Sequence, residues 1–101
     1  MSNCIFCKII NKEIPGKIIY EDDVCIAFLD LSQATYGHTL VIPKKHFENL
    51  DDIDIDTLTH INEIAKKMHI LLKEKLNIDG MSIMQNNGDV QEVKHYHMHL
   101  K

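Results

Sequence analysis

The sequence predicts an α+β domain, in which an antiparallel sheet of about five strands packs against one long helix. Over residues 55–75, apolar side chains recur at steps of three and four, which is the spacing of one helical face. Short apolar runs bounded by turn residues lie on both sides of this segment and are typical of strands. Their connections are short, so antiparallel pairing is favoured.

The segment before the long helix contains the first three strands. Pro15-Gly16 closes a short helical start, and the alternation of Ile18 and Tyr20 with Ile19 indicates a strand. In chain order we expect one or two helical turns over 4–14, strands over 17–21 and 24–29, a loop over 30–37, and a strand over 39–42 that ends at Pro43.

The long helix is expected to run over about 55–75. Asp54 or Asp56 can cap its N-terminus, where free backbone amides favour an anion, and Asn77 with Gly80 supplies its exit. Two further strands follow, over about 81–85 and 93–100, joined by turn-forming residues at 86–89.

Length and charge limit the classes of function. At 101 residues the chain is expected to form one domain, 1–101, with no room for a second core. Its net charge is −4 and its eleven lysines never occur in runs longer than two, so a nucleic-acid partner is not expected. A small anionic ligand remains compatible with this balance.

The N-terminus and the cysteines favour a cytoplasmic protein. The first ten residues lack the basic region and long apolar core of a secretory signal. No apolar run approaches the roughly 20 residues that span a bilayer, so no membrane association is expected. Three cysteines cannot all pair within one chain, which fits a reducing compartment better than a disulfide framework.

Three histidines alternate with other residues near the C-terminus, in the segment HYHMHLK. Strand geometry would place His95, His97 and His99 on one accessible face, about 6.5–7 Å apart, with the apolar residues packed under the helix. Neutral imidazole, with an ordinary pKa of about 6.5, is a good nucleophile near pH 7. Its attack on phosphorus gives an adduct that water can cleave.

An expression tag, fortuitous surface histidines and a single metal site are the alternative explanations. Tags are usually contiguous histidines and do not alternate with core residues. On a regular strand His95 and His99 lie about 13 Å apart, whereas zinc–nitrogen bonds are about 2.0–2.1 Å long. One ion therefore cannot bind all three without bending the strand. Chance placement of surface histidines stays open on these residues alone.

The histidine pattern and four other segments together resemble a known superfamily. The other segments are CIFCKII at 4–10, AFLDLS at 27–32, GHTLVIPKKH at 37–46 and Asn86-Asn87-Gly88. In this order, over practically the whole chain, they resemble the histidine triad (HIT) superfamily. Within it the chain is most similar to the nucleotide-binding branch that acts as purine nucleoside phosphoramidases, which implies a purine nucleotide or nucleotide conjugate as ligand.

The resemblance assigns roles to particular residues. His97 would be the nucleophile that becomes nucleotidylated, His99 would contact the phosphate and assist the leaving group, and His38 would orient the central imidazole. Asp30 would accept hydrogen bonds from the ribose hydroxyls, and no catalytic metal is required. The base would lie against Phe6, Phe28 and Leu31, while Asn86 and Gln91 would line the phosphate end.

A structural zinc is also implied. Cys4-x-x-Cys7 is a metal-type spacing, although two small buried thiols explain it equally well on its own. Several relatives, especially bacterial ones, bind zinc with two such cysteines, the histidine of the KKH segment and the first triad histidine. The corresponding set is Cys4, Cys7, His46 and His95. Four ligands leave no open position, so this zinc would be structural.

Two features depart from the family pattern. Glu92 stands where many relatives have serine or threonine, and an ionised carboxylate cannot donate to phosphate and would repel it if it pointed inward. Relatives usually continue past the triad, whereas here only Leu100 and Lys101 follow it. The sequence therefore resembles a HIT domain cut short just after the triad, and a fraying end could place His99 poorly.

The remaining cysteine and helix histidines carry no assigned chemistry. Cys25 lies in an apolar run and is interpreted as a core residue. His60 and His69 lie on the long helix and are interpreted as surface or interface residues. Relatives of this branch are usually homodimers, with the long helix and a strand at the two-fold interface, so a homodimer is implied.

The leading hypothesis is hydrolysis of the P–N bond in nucleoside 5′-phosphoramidates through a nucleotidyl-histidine intermediate. Cleavage of dinucleoside polyphosphates, which other HIT branches perform, is the enzymatic alternative. A nucleotide-binding or zinc-stabilised scaffold with little turnover is the non-catalytic alternative, suggested by Glu92 and the short C-terminus.

Overall fold

The computed structural model describes residues 4–30 and 37–101, so Leu31 lies outside the described residues. Within these two ranges, no helix combines the length and hydrophobicity that crossing a membrane requires. The elements are α1 (Ile5–Ile10), β1 (Lys17–Glu21), β2 (Cys25–Leu29), β3 (Thr39–Pro43), α2 (Ile55–Leu76), β4 (Ile83–Gln85), a 3-10 turn (Gly88–Val90) and β5 (Met98–Leu100).

The five strands that the structure describes pair antiparallel in one sheet of order β1-β2-β3-β5-β4. The last strand inserts between β3 and β4, so that Leu40 pairs with His99 and Val41 pairs with Met98. The predicted class, an antiparallel sheet of about five strands with one long helix, is confirmed.

The helix α2 covers one face of this sheet and is capped as its sequence predicts. The Asp54 carboxylate accepts a hydrogen bond from the Thr57 amide at 3.0 Å, which satisfies one of the free N–H groups of the first turn. Asn77 ends the helix with φ of 53°, so the exit is made there and not at Gly80. Its buried residues recur at helical spacing: Ile61, Ile64, Ala65, Met68 and Leu72.

The two sides of the histidine segment face different layers. Tyr96, Met98 and Leu100 join the core cluster under α2, which confirms the predicted packing of the apolar side. On the other face of the sheet, Phe6 of α1 packs with Phe28 of β2 in a second cluster. The short helix α1 therefore covers the face on which the histidines lie.

This cover changes the expected exposure of the triad. His95 is 0% exposed and His97 is 3% exposed, whereas His99 is half-buried. The prediction that all three imidazoles face an accessible surface is therefore wrong for the first two. The reason is that α1, within the short helical turns expected over 4–14, packs over them through Phe6.

The histidine segment is also less regular than predicted. β5 begins at Met98 and not at 93, because β3 ends at Pro43, which has no N–H to continue the ladder. The Tyr96 amide instead donates to the Phe47 carbonyl at 2.7 Å. The first two histidines therefore lie ahead of the strand, and their positions depend on contacts with the segment that follows β3.

Candidate functional site

The His97 imidazole is held in one orientation by the main chain. Its Nδ1 lies 2.8 Å from the carbonyl oxygen of His95. A carbonyl only accepts, so Nδ1 carries the proton and the lone pair is on Nε2. The Phe6 ring contacts the His97 ring edge to face, with centroids 5.0 Å apart. Both the tautomer and the ring plane of His97 are thereby fixed.

His99 and His38 form a hydrogen-bonded pair beside His97. The His97 and His99 ring centroids lie 4.8 Å apart, and His99 Nδ1 lies 2.9 Å from His38 Nε2. A carboxylate oxygen of Asp30 lies 3.4 Å from His38 Nδ1 and favours a proton on that nitrogen. His38 Nε2 then accepts from His99 Nδ1, and the lone pair of His99 is on Nε2.

The partner of His38 differs from the one that the resemblance implies. The His38 hydrogen bond goes to His99, whereas the ring of His97 is oriented by the His95 carbonyl. His38 therefore supports the triad through its last histidine.

Burial keeps these imidazoles neutral near pH 7. Desolvation lowers the pKa of His97 and of His38 below the ordinary 6.5. Desolvation, together with the neighbouring His97 and His38, lowers the pKa of His99 to about 4. Neutral imidazoles can act as nucleophiles and as proton acceptors, so this state suits attack on an electrophile.

Cys4, Cys7, His46 and His95 converge in a separate cluster, with their ligand atoms all within 4.8 Å of one another. His95 Nδ1 lies 3.1 Å from His46 Nδ1, 3.4 Å from Cys4 Sγ and 3.6 Å from Cys7 Sγ. Zinc bonds of about 2.0–2.1 Å to nitrogen and about 2.3 Å to sulfur place tetrahedral ligand atoms about 3.3–3.8 Å apart. The four residues therefore fit one tetrahedral ion.

The hydrogen bonding of His95 also fits a metal ligand. Its Nε2 lies 2.9 Å from the Pro43 carbonyl oxygen, so Nε2 carries the proton and the Nδ1 lone pair faces His46 and the two thiols. A backbone carbonyl on the outer nitrogen is the usual partner of a metal-bound imidazole.

The two clusters are joined through His95 and α1. The His95 side chain belongs to the Cys/His cluster, while its carbonyl oxygen holds His97. Phe6, between Cys4 and Cys7 in sequence, contacts the His95 ring at 5.9 Å and the His97 ring at 5.0 Å. An ion that fixes α1 and His95 therefore also fixes both groups that position His97.

The residues predicted to hold a nucleotide differ in how exposed they are and in whether their side chains already have hydrogen-bond partners. Phe6 and Phe28 contact each other at 5.6 Å and are only 6% and 3% exposed, so they offer a base little surface. The Gln91 side chain accepts from the Gly88 amide at 3.2 Å and donates to the Glu48 carbonyl. Gln91 thus holds its own loop in place.

Asn86 and Glu92 lie on either side of that loop. Asn86 is half-buried, and its carbonyl accepts from the Gln85 side chain at 2.9 Å. Glu92 is exposed, yet its charge favours protonated His97 and His38 and so opposes the lowering of their pKa values. The Glu92 carboxylate therefore acts on the triad from the surface.

Asp22 lies at the centre of a hydrogen-bond network that the sequence does not predict. His60 Nε2 lies 2.7 Å from a carboxylate oxygen of Asp22, and the Tyr20 hydroxyl donates to the same oxygen at 2.7 Å. His60 is therefore a partly exposed residue that is paired with Asp22, a partner that its interpretation as a surface or interface residue does not include. Cys25, beside this network, is 0% exposed, as expected of a core residue. The helix α2 and the β1–β2 hairpin are distant in sequence, so no local pattern indicates the contact between His60 and Asp22.

Comparison with known proteins identifies the family. The sequence pattern of the HIT domain matches residues 11–100. The chain belongs to the HIT domain family. The match contains His38, His46 and all three triad histidines, whereas Cys4 and Cys7 precede it.

Individual relatives agree with this assignment. The HIT chain is 52% identical over 99 residues to an uncharacterised HIT-like protein of Methanocaldococcus jannaschii, covering 96% of this chain and 76% of that protein. It is 43% identical to the adenosine 5′-monophosphoramidase of Saccharomyces cerevisiae, covering 96% and 60%. A HIT family hydrolase from Clostridium thermocellum superposes with a TM-score of 0.85 at 38% identity, covering 99% and 90%.

Proposed function

We propose that this HIT protein hydrolyses nucleoside 5′-phosphoramidates through a nucleotidyl intermediate on His97. The observation that carries the proposal is the fixed His97 ring, whose Nδ1 is held 2.8 Å from the His95 carbonyl while His99 lies beside it. The 43% identical yeast relative is named an adenosine 5′-monophosphoramidase, which favours the P–N bond as the target.

In the first step the Nε2 lone pair of His97 attacks phosphorus and the P–N bond breaks. His99, neutral in the free protein, takes up a proton from solvent on Nε2 when the anionic phosphate binds, and the amine leaves with this proton. The positive charge on the nucleotidylated imidazole is stabilised by the hydrogen bond from Nδ1 to the His95 carbonyl.

In the second step water attacks the same phosphorus atom and the bond to His97 breaks. His99 Nε2 accepts the proton of this water and so regains the proton that it gave to the amine. His97 returns to its neutral form, and a nucleoside monophosphate is released. One water is consumed in the cycle, and His38 with Asp30 holds the His99 ring throughout.

The nucleotide would lie along the open side of the triad. In this proposal Asp30 accepts hydrogen bonds from the ribose, the purine meets the edges of Phe6 and Phe28, and Asn86 lies at the phosphate end. Because Phe6 and Phe28 are only 6% and 3% exposed, each would offer the base only a small part of its surface.

Zinc in this proposal is held by Cys4, Cys7, His46 and His95 and has a structural role. When bound it supplies four bonds that tie α1 to the histidine segment. The four protein ligands leave the ion no open coordination position, so both chemical steps depend on imidazoles alone. Cys4, Cys7 and Cys25 form no disulfide, which fits a reducing compartment such as the cytoplasm.

The protein acts as a homodimer in this proposal. β4 is an edge strand of the sheet, and its Ile83 and Met84 are 54% and 38% exposed, while Ile70 of α2 is 47% exposed. Pairing of two such edges would bury apolar residues and satisfy open backbone groups. Light scattering that gives the mass of one chain would contradict the dimer.

The activity is tested by comparing two substrates at equal enzyme concentration. We expect kcat/KM for adenosine 5′-phosphoramidate to exceed that for a diadenosine polyphosphate by roughly tenfold or more. Faster cleavage of the polyphosphate would contradict the P–N bond as the target. Binding of AMP without turnover of either substrate would instead support a scaffold.

A further inference from the structure

A second group of metal-binding side chains lies on the α2 side of the sheet. Asp22 precedes β2, Cys25 begins it, and His60 lies on α2. One ligand atom from each lies within 4.8 Å of the other two. His60 Nε2 is 2.7 Å from one carboxylate oxygen of Asp22, and Cys25 Sγ is 3.9 Å from the same oxygen. The fold thus brings a carboxylate, a thiol and an imidazole to one point.

Asp22 is fixed so that one oxygen faces the other two ligands. The amides of Val24 and Cys25 both donate to its Oδ1 at 2.8 Å, which leaves Oδ2 directed at His60 and Cys25. Tyr20 donates to Oδ2 at 2.7 Å. Although burial opposes it, these hydrogen bonds hold the pKa of Asp22 well below its ordinary value, so the group is an anion.

The donor types and their charges fit zinc. Thiolate and imidazole favour a borderline-soft ion over magnesium or calcium, which prefer oxygen ligands. One carboxylate and one thiolate together neutralise a divalent ion. The 2.7 Å between His60 Nε2 and Asp22 Oδ2 is a hydrogen-bond distance, shorter than the roughly 3.2–3.6 Å between ligands of tetrahedral zinc. Zinc would therefore replace this hydrogen bond and move the two side chains slightly apart.

Solvent can reach the cluster from one side. Cys25 is 0% exposed, whereas the side chains of His60 and Asp22 are 32% and 24% exposed. Burial and the Asp22 charge raise the pKa of the Cys25 thiol to about 12, so its thiolate requires a cation. An ion would therefore enter past His60 and Asp22 and meet the thiol at the inner end.

We propose that Asp22, Cys25 and His60 form a zinc site separate from the Cys4/Cys7/His46/His95 cluster. Zinc forms one bond to each of the three ligand atoms, Cys25 releases its thiol proton to solvent, and the His60 proton moves from Nε2 to Nδ1 so that the Nε2 lone pair faces the ion. Three protein ligands leave a fourth position for water, in contrast to the closed four-ligand cluster. The site does not depend on the proposed phosphoramidase activity.

The test is the zinc content of wild type, His60→Gln and Cys25→Ala after loading with zinc and removal of free metal by gel filtration. Both variants should contain one equivalent less than wild type, whereas His69→Gln, changed on the same helix, should lose none. Cobalt loading should give wild type a thiolate charge-transfer band stronger than the one that Cys4 and Cys7 alone produce, and Cys25→Ala should lose this excess. Equal zinc content in wild type and His60→Gln would overturn the proposal.

Thermal unfolding distinguishes a zinc site from a contact between α2 and the β1–β2 hairpin that consists only of hydrogen bonds. A metal site predicts that added zinc raises the Tm of wild type more than that of His60→Gln. An equal rise in both proteins, with His60→Gln lower by a constant amount, would show that His60 serves only the hydrogen bond to Asp22. This readout decides the question even if Cys25→Ala does not fold.

Discussion

The two ends of the histidine segment use the same side chain in different surroundings. His95 lies among two thiols and a second imidazole, with its Nδ1 3.1–3.6 Å from each of their donor atoms. His99 is bonded to His38, which faces the Asp30 carboxylate. Spacing and alternation do not distinguish the two ends. The partners that distant segments bring to each imidazole decide its chemistry.

His97, between these ends, gives the largest expected effect. His97→Ala removes the proposed nucleophile without touching the Cys/His cluster, so kcat for an adenosine phosphoramidate should fall by about 10³-fold or more. Zinc content should be unchanged. His69→Ala, outside both clusters, is the matched control and should keep full activity. Activity of His97→Ala within tenfold of wild type would show that the triad is not the reactive centre.

Cys7→Ser tests the other end of the segment. It should abolish zinc binding at the four-ligand cluster and lower the free energy of unfolding by about 3 kcal/mol or more. Activity should fall about tenfold, because α1, Phe6 and His95 lose their common anchor. Denaturant unfolding, zinc analysis and initial rates measure the three effects, with Lys8→Ala on the same helix as control. Unchanged zinc content would remove Cys7 from the ligand set.

His99→Gln tests the end of the segment to which we assign proton transfer. It removes the proposed acid and base but leaves the nucleophile, so kcat should fall by about 10²-fold while zinc content stays constant. His38→Gln should cost less, about tenfold, because it acts through the His99 ring. Steady-state kinetics of both variants show which of them loses more kcat. A larger loss in His38→Gln than in His99→Gln would contradict the described chain of contacts.

Stability should depend on pH through His99, which is faced by His97, His38, Lys101 and Asp30. Its pKa is lowered to about 4 in the folded protein from the ordinary 6.5. Between these two pH values the unfolded chain binds a proton at His99 that the folded chain does not. The free energy of unfolding therefore decreases as the pH is lowered below 6.5. Urea unfolding should show wild type losing on the order of 1 kcal/mol more than His99→Gln from pH 7 to pH 4.5. An equal loss in both proteins would contradict this assignment.

Glu92→Thr gives the smallest expected effect. The exposed carboxylate favours protonated His97 and opposes an anionic substrate, so its removal should lower KM about two- to fivefold with little change in kcat. The gain should shrink as salt is added, because the charge is screened. If wild type and Glu92→Thr have the same KM at low salt, Glu92 does not affect substrate binding.

The parts of the fold that depend on local pattern could be predicted from the sequence. The apolar period of α2 and its capping by Asp54 and Asn77 are local features, and the structure has them. The strand β1 occupies Lys17–Glu21, as its alternation predicts. The family resemblance implies the four residues of the Cys/His cluster, and the structure brings their ligand atoms together.

The parts that depend on contacts between distant segments could not be predicted. No pattern shows that Phe6 packs over His97, that Pro43 stops the ladder before His97, or that His60 meets Asp22. The Gln91 amide likewise bonds to Glu48, far away in sequence. In each case the partner, and not the residue type, determines what the side chain can do.

Trapping of the intermediate tests the central claim most directly. The protein is mixed with adenosine 5′-phosphoramidate and quenched in alkaline denaturant, which preserves the bond between phosphorus and the histidine nitrogen. It is then digested and analysed by mass spectrometry. The account predicts one adenylyl group on the peptide that contains the triad, located on His97 by fragmentation and absent from His97→Ala. An adenylyl group on His99 or His38, or turnover with no adduct at any time, would contradict it.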